Sequence, residues 1–177
     1  MKIFVASDIH GSSYFMNKFA KLVEEEKPEQ IILLGDLYYH GPRNKFPKKY
    51  CPKKVAEVLN AYKDKLKCVK GNCDAEVDQM ISSFEIADSY EAELFGKSFL
   101  FVHGHKLDTE KMPKKDFVFG GHTHVPVVID FKGVCKYINP GSLSLPKGAY
   151  KQSYAVIEEG KITIKEIGGK IIETVEF

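Results

Sequence analysis

A chain of 177 residues, 44% hydrophobic and 28% charged, is long enough to bury a core in one domain without disulfides or a structural metal. Its formal net charge of +2 gives no strong field for nucleic acid or membranes, and no apolar run reaches the length of a membrane span. Cys51, Cys68, Cys73 and Cys135 form no C-x-x-C pair, which argues against a zinc knuckle or a dithiol redox motif.

In chain order, "KIFVAS" is a short β-rich apolar run broken by Asp8, too short for the core of a signal peptide. Behind it stand serines able to cap, and then Phe15, Phe19, Leu22 and Val23 recur at helical spacing. A strand followed by a helix is expected. "EQIILLG" reads as a second buried strand. "CPKKVAEVLNAYKDKL" reads as a second helix, with Pro52 near its start and Val55, Val58, Leu59 and Tyr62 on one face. "KLKCVKG" makes a third strand. This alternation predicts a parallel sheet with right-handed helical crossovers.

Beyond residue 88 the period shortens towards two. "SYEAELFGKSFLFVHG", "VPVVIDFKGVCKYINPG" and "SYAVIEEGKITIKEI" alternate about central turn residues and read as hairpins. The expected architecture is α/β: a single domain, residues 1–177, with two sheets packed face to face and helices outside. With no membrane span and no patch for a specific nucleic acid, a cytoplasmic protein is expected.

The chemistry lies in the loops just beyond the apolar runs. These runs end in Asp8 and His10, in Asp36 and His40, in Asn72 and Asp74, in His103 and His105, and in His122 and His124. A lone H-x-H, such as "GHTH" by itself, is as readily a solvated loop as a ligand pair. Here all six histidines fall just beyond predicted strands, within three residues of a glycine. Ligands of open α/β sheets bind where such loops converge, and glycines leave room for them. Imidazoles, carboxylates and an amide oxygen form a borderline-to-hard donor set suited to Mn²⁺, Fe²⁺ or Zn²⁺. Such a set holds too many donors for one tetrahedral ion and suits two divalent ions about 3.5–4 Å apart. The basic loop "GPRNKFPKKYCPKK" reads equally as a solvated connection and as a substrate contact through Arg43.

These residues resemble the calcineurin-like metallophosphoesterase superfamily, whose pattern D-x-H, GD, GN-x-(D/E), H and G-H-x-H occurs here as "DIH", "GD", "GNCD", "HGH" and "GHTH". "GDLYYHGPRN", "GNCDAEVDQM" and "NPGSLSLPKG" look like its small bacterial YfcE-type phosphodiesterase subfamily. The resemblance implies a four-layer αββα sandwich of two mixed sheets flanked by helices. It implies that Asp8, His10 and His124 hold one metal, that Asn72, His103 and His122 hold a second, and that Asp36 bridges both. The expected metal is Mn²⁺, with Fe²⁺, Zn²⁺ or Ni²⁺ as alternatives. A hydroxide shared by the two ions would attack the phosphorus of a small phosphodiester in line. Many superfamily members carry a histidine after the asparagine; here it is Cys73, a poor substitute for an imidazolium, which favours diesters over dianionic monoesters.

Asn72, Cys73, His40 and Arg43 are the candidates for direct catalytic contact, His40 and Arg43 reaching the phosphate or the leaving group. His105 reads either as a hydrogen-bonding support for the ligands or as a direct contact, Asp74 equally as a group that orients ligands and as a cap of its own loop, and Asn139 and Ser142 are expected to set a tight turn nearby. Two other readings stand. One is a non-catalytic scaffold of the Vps29 type, its interface or a homodimer seam marked by the apolar positions of "IIETVEF". The other is a phosphomonoesterase or nucleotide-cleaving enzyme. A homodimer or homotetramer is expected by resemblance.

Overall fold

The computed structural model describes residues 1–177. Its first half alternates as the sequence predicts through β1 (Ile3–Ala6), α1 (Ser13–Glu26), β2 (Gln30–Leu33), α2 (Pro52–Asn60) and β3 (Leu66–Val69), and adds the single turn α3 (Asp78–Ile81) and the short β4 (Ile86–Ala87), which no sequence pattern announced. The second half is β-rich: β5 (Tyr90–Leu94), β6 (Lys97–Phe101), β7 (Phe117–Phe119), β8 (Pro126–Phe131), β9 (Cys135–Pro140), β10 (Ser153–Glu158), β11 (Lys161–Glu166) and β12 (Ile171–Glu176).

Local chemistry sets the helix ends. The Ser12 hydroxyl accepts from the Phe15 N–H at the start of α1, and Lys27 closes it in the left-handed region at φ 48°, its N–H donating to Val23 O. Pro52 occupies the first turn of α2, where a missing N–H costs nothing.

The strands form two mixed sheets. A seven-stranded sheet has the order β12-β11-β10-β1-β2-β3-β4, parallel from β1 to β4 and antiparallel from β1 through β10 and β11 to β12. A five-stranded sheet has the order β5-β6-β7-β9-β8, with β6, β7 and β9 parallel between hairpin partners. All three predicted hairpins form.

Side-chain alternation along β1 shows how the layers pack. Phe4 and Ala6 face the helices with Phe19, Leu33, Val55 and Leu59. Ile3 and Val5 face the smaller sheet with Phe99, Phe101, Phe117 and Phe119. Both faces are covered, so the strand reads as an unbroken apolar run. On the outer face of the smaller sheet, Leu100, Val118 and Cys135 pack against Val102, Leu107 and Met112. The loop 102–116 forms the outer layer there, where a flanking helix was expected.

The apolar positions of "IIETVEF" find their partners inside the molecule. Ile172, Val175 and Phe177 join the core between the sheets, the Phe177 ring 4.9 Å from that of Phe117, while Ile171 stays exposed. No helix is long and apolar enough to cross a membrane.

Candidate metal centre

Because β1, β2 and β3 run parallel, and β6 and β7 likewise, the loops leaving each set emerge along one edge of their sheet. Backbone hydrogen bonds then lace the loops together. Asp8 N donates to Gly35 O (3.1 Å), His10 N to Asp36 O (2.9 Å) and Gly121 N to His103 O (2.7 Å). The Ser142 hydroxyl donates to Asp8 O at 2.8 Å, and Asn139 Nδ2 to Gly121 O at 2.7 Å. Thus the "NPGS" turn braces two of the loops.

The donors stand on strained backbone. Asp8, His10, Asp36, His122 and His124 all have φ between 50° and 65°, a region costing a non-glycine residue about 1 kcal/mol or more. Five such residues in one place are held by the surrounding structure, as is common at functional sites.

Three imidazoles are oriented by main-chain carbonyls. His10 Nδ1 lies 2.8 Å from Tyr39 O, His103 Nδ1 2.6 Å from Leu34 O, and His124 Nδ1 2.6 Å from Leu145 O. A carbonyl only accepts, so each Nδ1 carries a proton and each ring turns its Nε2 inward, the atom left to face a metal. His10 Nε2 and His124 Nε2 then face each other at 3.2 Å, with Asp8 Oδ1 3.2 Å from the latter and 3.6 Å from the former. Asp8 Oδ1 is buried and has no hydrogen-bond partner. Lone pairs converging without a donor call for a cation between them, so the residues present fit a metal.

A second cluster lies alongside. Asn72 Oδ1 is 3.0 Å from His103 Nε2 and 2.6 Å from His122 Nδ1. Asp36 Oδ2 stands between the clusters, 3.4 Å from His103 Nε2 and 3.6 Å from His10 Nε2. All seven candidate ligands from five loops are therefore brought together.

Their protonation equilibria report the same lack of positive charge. Burial works against ionising Asp8, yet the nearby imidazoles of His10 and His124 hold it well below the usual carboxylate range. Burial likewise opposes charge on His103, but the hydrogen bond with Asp36 and the charge of Asp8 push it up to about 9. His10 is raised against its burial by Asp8. His122 is lowered, by burial and then by His103.

The other candidates divide. Asp74 is fully engaged, accepting from Asp36 N (2.7 Å), Leu37 N (2.8 Å) and Gly71 N (2.7 Å), so it fixes the loop that carries Asp36. Cys73 N donates to Asp36 Oδ1 at 2.8 Å, and burial followed by the Asp36 charge pushes the thiol up to about 12. Cys73 and Arg43 line a cleft of about 750 Å³ over the donors. His40 does not: its ring packs 4.3 Å from that of Phe46 and 5.3 Å from that of Tyr50, an aromatic cluster that draws it aside. His105 is exposed beside His103 and hydrogen-bonds to no ligand, so the supporting hydrogen bond that was one reading of it does not form. Tyr39, Asn44, Thr123 and Lys147 also line the cleft. They were not legible, because no spacing rule marks a wall built by loop packing.

Residues 1–161 match the calcineurin-like phosphoesterase superfamily domain. The chain is 40% identical over 168 residues to Phosphodiesterase YfcE of Escherichia coli (strain K12), covering 93% of this chain and 91% of that protein. The solved structure of YfcE, a phosphoesterase from E. coli, superposes with a TM-score of 0.94 at 37% identity over 99% of both chains. A Vps29 variant from Entamoeba histolytica, at 21% identity and a TM-score of 0.67 over 100% of this chain and 99% of its own, shares the fold. Donors from five loops, in the order D-x-H to G-H-x-H, converge inside a fold and a sequence match that both span most of the protein, which thus belongs to the calcineurin-like phosphoesterase superfamily.

Proposed function

We propose that the protein is a phosphodiesterase working with two divalent metal ions. The observation that carries this is the position of Asp36, whose carboxylate stands between the two donor clusters. Asp8, His10 and His124 would hold one ion, Asn72, His103 and His122 the other, and Asp36 both. When bound, the ions lower the pKa of a water nucleophile and offset charge on the phosphoryl oxygens. Manganese is the first expectation; iron(II), zinc and nickel suit the same donors.

The chain's own residues supply orientation and selection. Carbonyls of Tyr39, Leu34 and Leu145 hold the imidazoles, so that little rearrangement accompanies binding. Arg43 offers a planar fork to a phosphate oxygen. Cys73, kept as a neutral thiol, adds no positive charge where many superfamily members have a histidine. With His40 packed aside, no further imidazole lines the cleft to protonate a leaving group. Both features favour monoanionic diesters with good leaving groups over dianionic monoesters.

The test is hydrolysis of bis(p-nitrophenyl) phosphate, stimulated by manganese, abolished by chelator and faster than that of p-nitrophenyl phosphate. Asp36→Asn and His122→Ala should each lose about a hundredfold or more, in line with removal of metal ligands. Full activity in either variant would rule out the two-metal reading. The scaffold alternative loses the surface expected of it, since the apolar side chains of the last strand other than Ile171 lie in the core.

A further inference from the structure

The structure assigns to Lys147 the recognition of a second acidic group on the substrate, beyond the phosphate that is cleaved; this rests on the phosphodiesterase reading above. Lys147 belongs to "NPGSLSLPKG", a motif the metal centre does not use up. Its loop is anchored at the site: Lys147 N donates to His124 O at 3.2 Å, Leu145 O accepts the hydrogen bond from His124 Nδ1, and the Ser144 hydroxyl donates to Ile9 O at 2.8 Å. Lys147 is exposed and lines the cleft.

Charge balance narrows the role. The cleft has two cations, Arg43 and Lys147, on different loops, and neither takes part in any ion pair. Only two carboxylates line it, Asp36 and Asp74. Asp74 is consumed by three backbone N–H groups, and Asp36 faces imidazoles and the Cys73 N–H. No protein anion is therefore left for Lys147. A phosphodiester has a single negative charge, which the donor cage and Arg43 already meet. A substrate with a second anionic group, phosphate or carboxylate, on one ester substituent gives Lys147 its counter-charge.

Three chromogenic diesters separate these cases: the p-nitrophenyl ester of thymidine 5′-phosphate with a free 3′-hydroxyl, with a 3′-phosphate and with a 3′-hemisuccinate. With manganese, the 3′-phosphate ester should show a KM about fivefold below that of the 3′-hydroxyl ester, typical of one partly exposed ion pair, with little change in kcat. Added salt should shrink the difference. Lys147→Ala should level the KM values while leaving turnover of the 3′-hydroxyl ester unchanged, and Lys147→Arg should restore the preference. An equal gain for the hemisuccinate marks a general anion site, and no gain for it a phosphate site. Equal KM values for all three esters in the wild type, or a preference that survives Lys147→Ala, would overturn the assignment. Calorimetric binding of thymidine 3′,5′-bisphosphate against thymidine 5′-monophosphate reads the same site without turnover. Absence of any hydrolysis thus counts against the phosphodiesterase reading alone, and equal binding counts against Lys147.

Discussion

Asp74 touches no candidate metal atom, yet much of the site's geometry passes through it. Its two oxygens gather N–H groups from Asp36, Leu37 and Gly71, joining the loops after β2 and β3. An amide in its place presents one oxygen and one NH₂, so at least one N–H is left facing a donor. Asp74→Asn should therefore cost about 1–3 kcal/mol in urea denaturation and weaken manganese binding, while Asp36 itself is intact. An unchanged midpoint and affinity would show that the loops keep their register without it.

Between elements, two kinds of glycine differ. Gly71 and Gly121 are not in the left-handed region, but a Cβ on Gly71 would strike the Asp36 carboxylate and backbone, and one on Gly121 would strike Ser7 and come within 2.7 Å of Asp8 Oδ2. Space is what demands them. Gly133, in the β8–β9 turn, has φ +76° and nothing within 4 Å. Gly71→Ala and Gly121→Ala should lose most activity, whereas Gly133→Ala should cost about 1 kcal/mol of stability and leave kcat alone. At the far end of α1, Glu26 ties the helix to the sheet through Lys165 (2.7 Å), Lys2 (3.0 Å) and Tyr154 (3.1 Å). Burial works to raise its pKa, but the bonds from Lys165 and Lys2 bring it below the ordinary 4.5. Its contribution is fully present above pH 4.5 and fades as pH falls through the lower folded value. Glu26→Gln should cost under about 1 kcal/mol at neutral pH, since solvent reaches these pairs, and the difference from wild type should vanish in acid. Denaturation midpoints across that range check it.

For the molecule as a whole, the two large cores lie away from the donors. One packs the helices on the seven-stranded sheet and the other fills the space between the sheets, and neither includes a ligand. Chelator should therefore abolish hydrolysis while the circular dichroism of the fold persists. Manganese should raise Tm, since a ligand of the native state alone adds stability of about 2.7 kcal/mol at a hundred times its Kd. Asp36→Asn should blunt that rise. Unfolding on chelation would instead make the metals structural.

Particular residues mark how far the sequence reaches. Strand and helix periods placed β1, α1, β2, α2 and β3 and the three hairpins, because each buries its apolar face in a pattern that repeats within the segment. The seven donors were legible for a related reason: each stands directly after an apolar run, so parallel strands deliver them to a common edge. The two-residue β4 and single-turn α3 are too short to show a period, and the pattern of "IIETVEF" does not assign its apolar residues to core or surface, which the packing of Phe177 against Phe99 and Phe117 decides. Likewise only packing decided that His40 turns into Phe46 and Tyr50 while Lys147 reaches the cleft. Order along the chain determines which groups arrive at the edge of a sheet. Which way a loop side chain then points depends on neighbours distant in sequence, and these exist only in the folded molecule.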